Sequence, residues 1–349
     1  MRDCVALPYT FLLPLQHNLI MQKLILATLL FLSLSISPLT QAEIKDKAVL
    51  DKFINKMVTE HQFDRTELET LFKSVEIKNK IIETMQRPAE GMPWYKYRKI
   101  FIQDKRIQGG VKFWQENLES LTAMQKKYGL PEEIMVAIIG VETFYGTRTG
   151  GHRVIDALAT LGFAYPKRSK FFLSELENFL LLCREENMNP LEPVGSYAGA
   201  MGMPQFMPSS YRHYAADFEG DAKRDIWNNS ADAIASVANY FAKHHWQAGK
   251  NITFPVTATG EEYKKALTKG LKPDMTAAKL KQYKVQLPAQ IAATEQLKLL
   301  SFEQPTTHDL WVGLDNFYVI TRYNHSPLYA MAVFQLSQAI KQQYTATIK

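Results

Sequence analysis

Cysteine is almost missing: the 349 residues hold two, Cys4 and Cys183. That excludes a disulfide-stapled scaffold and any zinc module built on several thiolates. Glycine (17) and proline (16) are too few for a collagen or low-complexity chain, and a 46% hydrophobic share argues against disorder. No P-loop and no GxGxxG fingerprint occurs, which removes nucleotide chemistry. His244 and His245 are helix neighbours about 100° apart. No His/Glu pair spaced four apart makes a zinc site, so both read as ordinary surface or core histidines. The apolar run Leu24–Ile36 falls short of the ~20 residues that a membrane span needs.

What is there is mildly basic, 41 Lys+Arg against 35 Asp+Glu. That balance suits an anionic polymer, whether nucleic acid or cell-wall glycan, without choosing between them. Lys and Arg are spread along the chain and form no nucleic-acid motif, which sets nucleic acid aside as a partner. The length allows two or three packed units around a sizeable core.

Met21-Gln22-Lys23 opens the apolar run, and Thr40-Gln41-Ala42 closes it with small residues at −3 and −1 of a cleavage point. Residues 1–42 therefore read as a secretory signal peptide, with Met21 an alternative start and a membrane anchor the rival reading. Glu43, not cysteine, comes after the cleavage point, so neither a lipid nor a stable membrane anchor is expected. Cleavage removes Arg2, Lys23 and Asp3 and leaves Cys183 as the only thiol. The expected place is the periplasm. Cys183, within Phe179–Arg184, reads as a buried small apolar residue.

Helical spacing dominates the chain beyond Glu43, in Ala48, Leu50, Phe53, Ile54 and Met57, then Leu68, Leu71 and Phe72. One helix is expected from Gly110 to Tyr128, another after Pro131, and others near 154–162, 169–187, Ala231–His245 and Ser326–Gln343. At about 249 the texture changes. Asn251–Gly260 looks like a strand, and Asp309–Tyr323 has β-type composition. The expectation is a mainly α chain. An N-terminal helical domain would span 43–108 and the core 109–248 plus 321–349, with a small mixed α/β insertion at 249–320.

Glu142 stands out because its helix is apolar nearly all round, from Ile134 to Val141. Burial raises a carboxyl pKa, and the negative end of the helix dipole pushes the same way. Such a group suits a general acid for a glycosidic oxygen. The alternative is a last-turn Glu that faces solvent or pairs with Arg148. The segment Gly195–Ser210 offers small residues for close approach, Met and Phe for apolar contact, and Ser196 and Gln205 for hydrogen bonds. A sugar with apolar ring faces fits that mix, and a tight structural turn is the other reading. Asp217, Glu219 and Asp221, with Lys223 and Asp232 after them, echo a calcium loop, although Ala222 stands where that loop has glycine. A purely structural acidic loop is the alternative.

Taken together, Glu142-Thr-Phe-Tyr-Gly146, Ser196–Ser210, Tyr165-Pro-Lys-Arg168, Val237–Tyr240 and Tyr323–Val333 resemble the membrane-bound lytic murein transglycosylase B family. The resemblance runs from about Tyr95 to the C-terminal helix. It implies a lysozyme-like helical core with an N-terminal helical domain and a small β-containing inserted domain. It also implies that Glu142 is the catalytic acid and base and that Ser196 positions the N-acetyl group of the muramoyl unit. Tyr97, Tyr240, Tyr323, Asn324 and Tyr329 would hold Glu142 and the sugars, and Gln205 would line the −1/−2 side. Lys167 and Arg168 would meet the peptide stem. Where the family often has two arginines, Lys167 keeps the charge and loses the fork.

Ordinary glycosidases need two carboxylates. Asp156, Glu175 and Glu177 lie within reach in sequence, but none sits in a catalytic motif. In the implied reaction Glu142 protonates the glycosidic oxygen and the N-acetyl group assists. Glu142 then takes the proton of the C6 hydroxyl, closing a 1,6-anhydro ring. No cofactor is required, calcium would be structural, and the partners are peptidoglycan strands and other cell-wall enzymes. The rivals are a muramidase that uses water and a non-catalytic murein-binding protein.

Overall fold

In the computed structural model, Ile44, residues 46–86 and residues 91–347 are described. The signal peptide read over 1–42, with Cys4 and Met21, lies outside them. The described residues belong to one compact unit, Glu43–Lys349.

Fourteen α-helices and seven short strands are formed among the described residues. The first three are α1 (Lys47–His61), α2 (Arg65–Lys73) and α3 (Asn79–Met85). Asp46 and Asp64 cap the first two by accepting the amides of Val49 and Glu67. The aromatic stretch after them is helix α4 (Trp94–Phe101). The single helix expected over Gly110–Tyr128 is instead two, α5 (Asp104–Glu116) and α6 (Leu118–Tyr128). Asn117 breaks it: φ −122 and ψ 26 leave the helical region, and its side-chain amide donates to the Phe113 carbonyl while its side-chain oxygen accepts from Ser230.

Helix α7 (Glu132–Thr143) is the central element and is buried on nearly every face. Even its first-turn acids are inside. Glu132 accepts from Trp114 Nε1 (2.6 Å) and Thr122 (2.8 Å), and Lys341 reaches Glu133 (2.8 Å). Strand β1 (His152–Arg153) leads into α8 (Val154–Ala164), a short turn at Pro166–Arg168 and α9 (Ser169–Glu185). β2 (Val194–Gly195) pairs with β1 and opens the loop that ends at α10 (Pro208–Tyr214). Helix α11 (Ser230–Lys243) comes next, capped by Asn229.

The strand expected within 251–260 is β3 (Thr253–Ala258). With β4 (Met275–Thr276), β5 (Val285–Gln286), β6 (Gln296–Glu303) and β7 (His308–Gly313) it forms an antiparallel sheet, ordered β4-β6-β7-β3-β5. Helix α12 (Ala277–Gln282) lies within this stretch. A separate apolar cluster, including Val256, Leu280, Leu297 and Val312, fills the unit, while Leu300 and Phe302 of β6 join the main helical core.

The β character read over Asp309–Tyr323 is half wrong. Strand ends at Gly313, and Asp315–Tyr323 is helix α13. Its β-favouring residues serve an amphipathic helix that buries Phe317, Val319 and Ile320, and packing overrides propensity. The last helix, α14 (Pro327–Thr347), packs against α7, α5 and α4.

Candidate active site

Glu142 sits in the last turn of α7, with part of its surface open and protein atoms crowded around the rest. Tyr329, two residues into α14's first turn, donates its hydroxyl to Glu142 Oε1 at 2.6 Å. Desolvation raises the carboxyl pKa to about 7, partly opposed by that hydrogen bond. Burial and the charge of Glu142 push the Tyr97 phenol up to about 12, and the same causes hold Tyr323 and Tyr329 well above the usual phenol value. These three tyrosines surround one carboxyl. The reading of Glu142 as paired with Arg148 fails, because Arg148 lies instead over the Phe144 ring, 5.1 Å away.

Tyr323 is nearly parallel to Tyr329, at 6.4 Å and 6°, and its hydroxyl donates to the Pro204 carbonyl at 2.7 Å. Tyr240 stands behind it. Its ring meets Tyr323 at 4.7 Å, it is covered by His244 at 4.0 Å, and its hydroxyl is spent on the Arg322 carbonyl. Tyr240 thus supports Tyr323 and offers no free hydroxyl. Asn324, at the end of α13, is exposed.

The loop from Gly195 is tied by bridges between Gly195, Met201 and Phe206. Ser196 Oγ accepts the amides of Ala200 (3.0 Å) and Ala198 (3.3 Å), which leaves its own proton to donate outward. Gly199 (φ 82) lies over Leu158, where a Cβ would come within 2.5 Å of its side chain. Gln205 has φ 53, and its amide nitrogen bonds the Thr149 and Gly202 carbonyls at 3.1 and 2.9 Å. Lys167 and Arg168 are exposed on the turn after α8, and Arg168 lies over Phe171 and Phe172 (4.3 and 5.1 Å).

Sequence reading missed the residues that brace the acid. Thr143, fully buried, donates to the Met203 carbonyl (2.9 Å) and accepts the Gly146 amide (3.0 Å), so α7 is fastened to the Ser196–Gln205 loop. Arg106 lies between the Phe101 and Phe144 rings (5.3 and 4.8 Å) and donates to the Gly140 carbonyl at the C-terminal end of α7. Tyr145 donates to the Arg106 carbonyl (2.7 Å). No local signal marked them, because their partners lie 34 to 60 residues away in the chain.

The other carboxylates have structural duties. Asp156 takes both a two-point contact from Arg153 and the Glu76 amide. Glu175 accepts from the Ser209 amide and hydroxyl, and Glu177 from Lys56 and His61. Cys183 is buried, and burial pushes its thiol up to about 12, which makes it inert as a nucleophile.

In the acidic loop, Asp217, Glu219 and Asp232 bring carboxylate oxygens within 4.8 Å of one another. Ala222 adopts φ 64, the left-handed turn that the missing glycine would supply. Burial, with the charges of Glu219 and Asp217, pushes Asp232 up to about 6 against two amide hydrogen bonds. An all-oxygen set around a carboxylate that resists ionising fits a hard divalent cation. The Asp221 carboxylate instead accepts the Lys223 amide, outside that group of three.

The sequence pattern of the family described as "Transglycosylase SLT domain" matches residues 45–338. The chain is 42% identical over 299 residues to the membrane-bound lytic murein transglycosylase B of Escherichia coli, covering 83% of this chain and 81% of that protein. It resembles the solved structure of E. coli lytic transglycosylase Slt35 in complex with calcium: TM-score 0.78, 41% identity, 84% of this chain and 93% of that one. It also resembles Pseudomonas aeruginosa SltB3 in complex with NAG-anhNAM-pentapeptide: TM-score 0.74, 29% identity, 86% and 80% covered.

Proposed function

The chain belongs to the transglycosylase SLT-domain family, and from that premise we propose that Glu142 is both acid and base of its reaction. The enzyme is a lytic murein transglycosylase. It cleaves the β-1,4 bond between N-acetylmuramic acid and N-acetylglucosamine and leaves 1,6-anhydromuramoyl ends. One observation carries the assignment: a single carboxyl raised to about 7 and held by Tyr329, with Asp156, Glu175 and Glu177 all engaged elsewhere.

The chemistry closes without water. Protonated Glu142 gives its proton to the glycosidic oxygen as the bond from the muramoyl C1 breaks. The N-acetyl carbonyl oxygen of the same sugar attacks C1, and Ser196 donates to that acetamide. Glu142, now a carboxylate, takes the proton of the C6 hydroxyl while the hydroxyl oxygen closes on C1 and the bond from C1 to the acetamide oxygen breaks, restoring the N-acetyl group. The nucleophile belongs to the substrate, so a second protein carboxylate is unnecessary. Tyr329 and Tyr97 hold Glu142, and Tyr323, backed by Tyr240, forms the adjoining wall. Asn324 and Gln205 meet the sugars, and Lys167 and Arg168 meet the carboxylates of the stem peptide.

A structural calcium ion would be held by Asp217, Glu219 and Asp232, with Asp221 and the Lys223 carbonyl completing its oxygens, and would neutralise the loop. The working compartment is the periplasm, entered through a cleaved signal peptide at 1–42. Among the described residues no helix is long and apolar enough to cross a membrane. The proposed domain division is 43–108, 109–248 plus 321–349, and 249–320, with residues 108 and 320 falling inside α5 and α13 rather than between elements, and other cell-wall enzymes are the remaining proposed partners.

Digestion of purified murein and mass spectrometry of the fragments test this directly. Fragments lacking one water, the mark of anhydro ends, are expected, and reducing ends would establish a muramidase instead. Glu142→Gln should lower kcat by at least about a thousandfold and keep glycan binding. Undiminished turnover would remove Glu142 from the role.

A further inference from the structure

On the flank of α4 turned away from Tyr97, a trough of about 710 Å³ runs between that helix, the β6–β7 turn and α14. Tyr95, Trp311 and Phe334 line it, together with the amide of Gln338 and the carboxylate of Asp309, which accepts from the Gln304 side chain. Trp311 and Phe334 stand edge to face at 6.2 Å. A second concavity of about 530 Å³ carries on along α14 and shares Gln338 and Gln342 with the first. Arg98 and Lys99 border the trough and are exposed. Arg98 donates to Gln335 (2.6 Å), and among the described residues neither is paired with a carboxylate.

We propose that this trough holds a second stretch of murein, distinct from the strand being cut. The proposal rests on the reading of the enzyme as a murein transglycosylase. Aromatic faces beside amides suit sugars, whose rings have apolar faces and hydroxyl rims. Unpaired cations suit the carboxylates that stem peptides carry and plain glycans lack. The elongated shape suits a polymer. Buried Trp94 stacks on Tyr97 at 6.4 Å, so the aromatic wall of the trough backs onto the wall of the cleavage site. Holding one strand raises the effective concentration of its neighbours at Glu142.

Sacculi and a soluble peptide-bearing tetrasaccharide separate the two sites. Trp311→Ala should raise KM for intact sacculi about fivefold, in line with the loss of one stacking contact, and leave kcat and turnover of the soluble fragment unchanged. Lys99→Glu, which disturbs no packing, should do the same. Calorimetry of Glu142→Gln with that tetrasaccharide should give two binding events, reduced to one when Trp311→Ala is added. Unchanged KM on sacculi in both variants overturns the proposal, as does a single event in the Glu142→Gln chain. A parent chain inactive on both substrates overturns the catalytic reading instead.

Discussion

The carboxyl of Glu142 works because its surroundings oppose its charge, and pH exposes that. As the acid it must be protonated, so kcat/KM should hold below about 7 and fall above it. The Tyr329 hydrogen bond favours the charged form. Tyr329→Phe should therefore raise the pKa and move the alkaline limb to higher pH while lowering kcat, and a pH–rate profile reads both. A limb that moves down would contradict the geometry. The same shift affects folding. A carboxyl raised above its unfolded value near 4.3 favours the folded state fully below that value, and this contribution is lost as pH climbs through 7.

Among the elements, α7 determines where the acid points, and its C-terminal end is packed without slack. A Cβ on Gly140 would come within 2.6 Å of the Tyr145 hydroxyl. That hydroxyl anchors the Arg106 backbone, whose guanidinium holds the Gly140 carbonyl. Gly140→Ala should cost about 1–3 kcal/mol, a fall of roughly 2–6 °C in melting midpoint, and should lower kcat with it. Differential scanning calorimetry beside a turnover assay checks both. An unchanged midpoint would mean that Tyr145 moves aside freely. Gly140 lies in the middle of an apolar run, and sequence alone shows no neighbour for it.

Across the whole molecule, legibility depended on the kind of signal. Helices with apolar spacing were plain, and Glu142 was marked by its apolar helix before any fold was known. Helix α13 was misread because Phe317, Val319 and Ile320 suit either a strand or a buried helix face, and only packing against α14 decides. Arg106, Thr143 and Tyr145 were invisible because their partners lie up to 60 residues away. The acidic loop was legible as a pattern, and its cation is a whole-molecule question. Asp232 stands in the first turn of α11 and fixes the loop through the Phe218 and Asp225 amides. Calcium at a hundred times its Kd should add about 2.7 kcal/mol of stability and raise the melting midpoint, reversibly with chelator. No shift at millimolar calcium would leave the loop purely structural.

The bond between Tyr329 and Glu142 joins residues 187 apart in the chain. During synthesis Glu142 leaves the ribosome long before the helix that supplies its hydroxyl partner. The nascent polypeptide therefore has its acid but not the tyrosine that holds it, and the active site is completed only when α14 docks. An enzyme that cuts the wall is thus built so that a helix made well after its acid is the one that arms it.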